Sequence, residues 1–463
     1  MEAFCITINI RRIVALSIAA AASCHGGCVL AAENAYVQTN LVANSAIYNP
    51  TRLIDEYLVN PWGLALRPPG AGGHFWTSNA GTGTTTTYIG DVGGVPLYQD
   101  GLKVVPIVTS ARDMDLVQTL SDGIAQVTGQ VYNAASDLPG QPVEFFVKGP
   151  AINYSNGTSA GMDSGSAKFV FVTQDGTINA WRTKTDPGMI EAVVIKDYSN
   201  IDYASQGLRA RPGFNGVAMT TDKWTLNANG QVVADNRMYV ADFANGRIMT
   251  FDNQWNDISA PGMFQRPADL SVSYMPFNVQ QLGDGRIYVA WAENSFEIDE
   301  PTEEIPGQGF GRIVAYDRDG NLLQDFATHD LLNAPWGMAI APASFGAFGG
   351  DLLVANFGDG TIVAYDLATG KELGYLRDAD GNVVSIDGIW GLTFGNGVHL
   401  GDSNVLYFTA GPNEENDGIF GRLSVAAVPE PDSYAMMLCG LGLVGFALRK
   451  RQRLDMAKRL NVA

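Results

Sequence analysis

The body of this chain has no cysteine. All four cysteines, Cys5, Cys24, Cys28 and Cys439, lie near the ends. The stretch between Cys28 and Cys439 therefore has no internal disulfide and no thiolate to bind a metal or act as a nucleophile. Histidine is almost as scarce. Of the four, His25 sits in the N-terminal leader, and His74, His329 and His399 show no pairing at metal-ligand spacing. Basic residues are few, 29 Lys and Arg against 48 Asp and Glu for a net charge of −19. Both ends are basic, so the middle is more acidic than the total. Such a surface repels phosphate backbones, which excludes nucleic acid as the expected partner and leaves room for divalent cations.

Long apolar runs are absent except near the termini. Residues 11–32 pair Arg11 and Arg12 with an apolar stretch and small residues before Glu33, the layout of a secretory signal cut after Ala31 or Ala32. Lipidation of Cys24 competes with this reading, although "AAASC" lacks the usual branched residue three places before the cysteine. At the other end, Ala435 to Leu448 are uncharged and Arg449-Lys450-Arg451 follow. A helix over 434–448 makes a marginal membrane span, with the basic cluster cytoplasmic and the acidic body outside.

Pro429-Glu430-Pro431, then an apolar helix, then an arginine-rich end resembles the PEP-CTERM sorting signal of Gram-negative bacteria. The resemblance implies an exosortase-like membrane enzyme that cuts near the Pro-Glu-Pro motif, transient membrane association, and release to the cell surface or an extracellular matrix rich in polysaccharide. It covers about 25 residues, and the extra "LDMAKRLNVA" departs from its usual end. A plain C-terminal anchor is the other reading.

What fills the body is glycine, 53 residues of it, in a repeating order. "NPWGLALRP", "SDGIAQVTG", "FNGVAM", "MPFNVQQL", "NAPWGMAIAP" and "IWGLTFGNG" each precede alternating segments with Asp-Gly or Asn-Gly turns, the strongest short-range hairpin signal. The unit-opening residues are Gly63, Gly123, Gly216, Asn278, Gly337 and Gly391. The fold expected is all-β: a six-bladed β-propeller of four-stranded blades, with a single apolar helix at the C-terminus. The sixth unit stops after three strands, so the N-terminal "AYVQTNLV" is expected to pair with 418–425 and close the ring. The domains read as a signal peptide over 1–32, the propeller over 33–427, the sorting segment over 428–453 and a short cytoplasmic tail over 454–463. The blades resemble propellers of the NHL and SMP-30 (gluconolactonase-like) type.

Two features of one propeller face carry candidate chemistry. Trp62, Phe277, Trp336 and Trp390 fall at matching positions around the channel, where they either stack on sugars or pack between blades. The loops 293–306 and 411–418 are acidic. Asp122, Asn215 and Asn278 in the channel and Glu293, Asp299 and Glu300 in the first loop are candidate ligands for a metal such as Ca²⁺. In the gluconolactonase-like enzymes, channel-facing Glu, Asn and Asp hold one divalent ion, and here that set is incomplete. "GTSAG" at 157–161 matches G-x-S-x-G formally but lies in a Gly/Ser-rich insert, and no catalytic residue is assigned. The expectation is an exported binding or matrix module associated with polysaccharide; the alternative is a secreted metal-dependent lactonase or hydrolase.

Overall fold

The computed structural model describes residues 34–426, apart from the short stretches 69–71, 109–124, 136–141, 149–151, 154–158, 161–163, 183–190, 221–223, 227–231, 298–299 and 327–329, and residues 440–452. Six antiparallel sheets follow one another along the chain as the blades of a propeller. Their inner strands are Pro61–Ala65, Val127–Tyr132, Phe214–Met219, Tyr274–Gln281, Pro335–Ile340 and Ile389–Phe394. The alternation noted in the sequence places one side of each blade against its neighbour, and apolar side chains from adjacent blades interlock in the spaces between.

The recurring Gly explains how six strands crowd around one axis. A Cβ on Gly63 would come within 3.0 Å of the second blade's backbone at Thr128, one on Gly129 within 3.0 Å of the third at Val217, and one on Gly216 within 3.0 Å of Asn278 in the fourth. Gly337 meets Trp390 of the sixth blade in the same way, and Gly391 meets Trp62 of the first. The fourth blade has Asn278 instead, whose Nδ2 donates to the main-chain oxygen of Trp336 at 2.8 Å. Neighbouring blades thus touch all round the ring, with no space for a side chain at the five glycines and the Asn278 side chain spanning the remaining gap.

Gly129, not Gly123, is the second blade's member of this ring. The ring glycine there lies six residues beyond the expected one, and Thr128 stands where four of the other blades carry tryptophan or phenylalanine. Gly123 and Asp122 lie outside the described residues. The third blade also differs from expectation, with a three-stranded sheet. Its outer edge is taken by a short segment in which Asp257 bridges Phe251 and Ile258 N–H donates to Thr250 O at 2.8 Å. Ser159–Ala160 pairs antiparallel with Ile152–Asn153 in a small hairpin, so the serine of "GTSAG" is not on a strand-to-helix elbow.

The ring closes as expected. Tyr36–Ala43 pairs antiparallel with Ile419–Val425, from Tyr36 opposite Val425 to Ala43 opposite Ile419, with a bulge between Asn40 and Val42. Leu53–Ile54 adds a short parallel edge. Residues 440–452 are helical and exposed. Among the described residues no helix is long and apolar enough to cross a membrane, and only part of the 434–448 segment is described.

Candidate functional site

Every inner strand is bulged near its start: the pairing register slips at Pro61/Leu64, between Val127 and Gln130 in the second blade, at Phe214/Gly216, Pro276/Asn278, Pro335/Met338 and Ile389/Leu392. A bulge re-aims the side chain beside it, and here it turns the large aromatics inward. Trp62 stacks on Trp390 with ring centroids 3.6 Å apart, and Trp390 stacks on Phe357 at 4.0 Å. Trp336 and Phe277 meet Trp62 edge-on at 6.0 and 6.2 Å. Phe243, Met275 and Ala334 complete the cluster.

The four aromatics are therefore brought together, but as a plug and not an open rim. Trp390 and Phe277 are 0% exposed, and Trp62 and Trp336 are 3%. No face is left for a sugar to stack on. The sequence reading of a stacking surface is corrected to the packing alternative: burial of so much aromatic area at the narrow end of the axis outweighs exposing it.

The acidic loops do flank this sealed end. Trp390 Nε1 donates to Asn60 Oδ1 at 3.1 Å, and Asn60 Nδ2 donates to Glu415 Oε2 at 2.5 Å. Glu415 follows Asn413 and Glu414 in a run of three residues with positive φ, 60°, 52° and 63°, a strained turn that aims its carboxyl inward. From the other loop, Glu304 is buried and its pKa is pushed up to about 8 by that burial and by the charge of Glu303. Burial also raises Glu415, with Glu303 adding to it and Asn60 opposing it.

Of the candidate metal ligands, Asn215, Asn278, Glu293 and Glu300 are described. Asn215 is buried with neither side-chain atom hydrogen-bonded. Both ends of the Asn278 amide are committed, Nδ2 to Trp336 and Oδ1 to its neighbour Val279 N–H. Glu293 is half-buried and Glu300 exposed, while Asp122 and Asp299 lie outside the described residues. Among the described residues no three His, Cys, Asp or Glu are grouped to hold an ion.

The other end of the axis is open, and nothing in the sequence singled it out. Where the inner strands finish, a cavity of about 690 Å³ opens outwards, its walls formed by residues such as Leu64, Met219, Met338 and Leu392 with Tyr132 and Phe394. This is the size of a typical ligand site. It narrows to a throat of about 30 Å³ lined by the ring glycines Gly63, Gly129 and Gly391 with Gln130 and Gln280. No described lining residue of cavity or throat is charged, in a chain that is 17% charged. Arg67, between the lining residues Leu66 and Pro68, turns its guanidinium over the Tyr132 ring at 5.3 Å.

Fold and site together define a six-bladed β-propeller with one sealed and one open axial end. The chain also carries a recognised sorting signal: residues 427–452 match the PEP-CTERM protein-sorting motif, which implies export and processing by an exosortase in a Gram-negative bacterium. Pro429, Glu430 and Pro431 lie within the match but outside the described residues; Arg449, Lys450 and Arg451 are in the described helix.

An uncharacterized protein of Acanthamoeba polyphaga mimivirus is 27% identical over 83% of this chain and 78% of its own length. A second from the same virus is 34% identical over 42% of this chain and 50% of its own. Among solved structures, the chain is similar to the soluble aldose sugar dehydrogenase of Escherichia coli, with 11% identity and a TM-score of 0.40 over 84% of this chain and all of that one. It is also similar to a gluconolactonase of Xanthomonas campestris, with 16% identity and a TM-score of 0.30 over 56% and 82% of the respective chains.

Proposed function

We propose that the protein is a binding module of an extracellular polysaccharide matrix. It is exported, held for a time in the inner membrane by its C-terminal segment, and processed near Pro429-Glu430-Pro431. The observation that carries the binding role is the open cavity at the finishing end of the inner strands, with no described charged group in its wall. The sorting segment supports the route outwards. The alternative of a metal-dependent lactonase has less support, since among the described residues no three His, Cys, Asp or Glu are grouped to hold an ion.

The test is equilibrium binding of the protein, isolated from its producing cells, to the exopolysaccharide of those cells. Saturable binding without change to the polymer supports the reading; turnover of the polymer or no binding removes it. Mass spectrometry of the isolated protein checks the route, since processing predicts a chain that ends close to Pro431.

A further inference from the structure

We infer that the propeller meets the membrane with its open end. The cavity mouth is turned to an anionic lipid surface for as long as the sorting segment holds the chain there, so processing, and not export, opens the cavity to a matrix polymer. This rests on the anchoring step of the route proposed above and on no particular ligand for the cavity.

The place where the chain leaves the propeller carries it. In the sixth blade Phe394 stands opposite Leu406 and Leu406 opposite Leu423, so Ile419–Val425 runs in the same direction as the inner strand and finishes towards the cavity end. The aromatics agree. Tyr36, opposite Val425, stacks on Phe345 at 4.8 Å, and Phe345 meets the cavity-lining Phe394 edge-on at 5.0 Å. Ala426, the last described residue of the propeller, donates its N–H to Ala35 O at 2.8 Å.

Seven residues, 427–433, then separate Ala426 from Tyr434, where the apolar segment begins. Fully extended they reach about 25 Å. An eight-residue inner strand such as Tyr274–Gln281 is itself about 27 Å long. The connection is too short to run back along a blade and bring the sealed end against the bilayer.

Charge favours the same orientation. The loops 293–306 and 411–418 beside the sealed end expose Glu297, Glu300, Glu303 and Glu414 and contain no lysine or arginine. An anionic lipid surface repels them within a Debye length. The described lining of the cavity has no charge to repel, and the Arg67 guanidinium lies beside it over Tyr132.

The cysteine-free body makes the test direct. Cys5, Cys24, Cys28 and Cys439 are changed to serine in the full chain, and one cysteine is added by Gly283→Cys in the cavity wall or Glu297→Cys beside the sealed end. A Cβ at Gly283 meets nothing within 4 Å, and Glu297 is exposed. Each variant, its sorting segment uncut, is reconstituted in vesicles of phosphatidylethanolamine and phosphatidylglycerol. Energy transfer to a headgroup-labelled lipid is expected to be at least twofold more efficient from position 283 than from 297. Alkylation of position 283 by a bulky maleimide is expected to be at least fivefold slower in vesicles than after proteolytic release, with position 297 alkylated at one rate in both states. Val398→Cys, exposed in the loop after Phe394, replaces Gly283→Cys if that variant does not fold.

Equal transfer from the two positions, or more from 297, overturns the inference, as does alkylation of position 283 at one rate before and after release. Protein that floats with the vesicles in those cases leaves the anchoring step standing. Protein that does not float with them overturns both.

Discussion

Arg422 Nη1 lies 2.7 Å from Asp91 Oδ2, although 331 residues separate them. The same carboxylate oxygen accepts from Tyr407 O–H at 2.7 Å. Asp91 sits just beyond the third strand of the first blade with φ of 58°, and Tyr407 and Arg422 lie on adjacent strands of the last. The contact is a clasp between the first and sixth blades. Removing the guanidinium leaves a buried carboxylate with one partner fewer, so Arg422→Met is expected to lower unfolding stability by about 2 kcal/mol in urea denaturation.

The ring of close backbone approaches makes a second prediction. Gly391→Ala puts a methyl group 2.8 Å from Trp62 O and 2.9 Å from Thr409 Oγ1, and overpacking of this kind costs about 1–3 kcal/mol. Gly101→Ala meets nothing within 4 Å and is expected to leave the melting temperature unchanged, so the pair distinguishes crowding from any general effect of losing glycine.

Trp390→Ala tests whether the aromatics are structural. It empties the site between Trp62 and Phe357 and frees Asn60 from the indole N–H. A loss of about 3–5 kcal/mol is expected. A variant that kept full stability and lost only glycan binding would restore the idea of a stacking surface.

Stability should depend on pH in two opposite ways. Glu304 has a folded pKa of about 8, above its ordinary 4.5, so the folded state holds its proton more tightly. Its contribution is full below pH 4.5 and is lost as pH rises through 8. Asp252, Asp317 and Asp378 are held below 3.8: at the first two, burial opposes this but hydrogen bonds from Asn256 and Asn321 prevail, and at Asp378 the Asn382 bonds lead. Their contribution is present above 3.8 and lost as pH falls through the lowered values. Unfolding stability is expected to be greatest near pH 5, as measured by urea titration. Glu304→Gln should reduce the alkaline decline by on the order of a few kcal/mol.

The propeller was legible because its geometry acts on residue types. Backbones that meet at the axis exclude Cβ atoms, which left glycine at five of six ring positions, and hairpin turns required Asp-Gly and Asn-Gly. In the second blade the ring glycine is Gly129, which Thr128 precedes, and Gly123 stands six residues before it in the sequence. The site was less legible. A tryptophan at the start of a strand looks the same whether the neighbouring bulge turns it into the axis or leaves it at a rim. The cavity is made by the far ends of the same strands, and its distinguishing mark is a described lining without charge, drawn from segments far apart in the chain. Only the fold brings Gln130 and Gln280 to one throat, and the bonds that hold the two amides, to Gly63 O and from Met338 N–H, come from neighbouring blades.

Closure by Tyr36–Ala43 also fixes how the molecule would respond to force. The strand Ile419–Val425 leads into the sorting segment, and it lies between Tyr36–Ala43 on one side and Leu406–Ala410 on the other. A pull applied through the residues after Val425 starts at the pair Tyr36 and Val425. It opens the outer ladder first and reaches the inner one at Leu423, paired with Leu406. A propeller tugged by its tail while gripping a polymer would thus yield at its own seam, one rung at a time, before any other blade was strained.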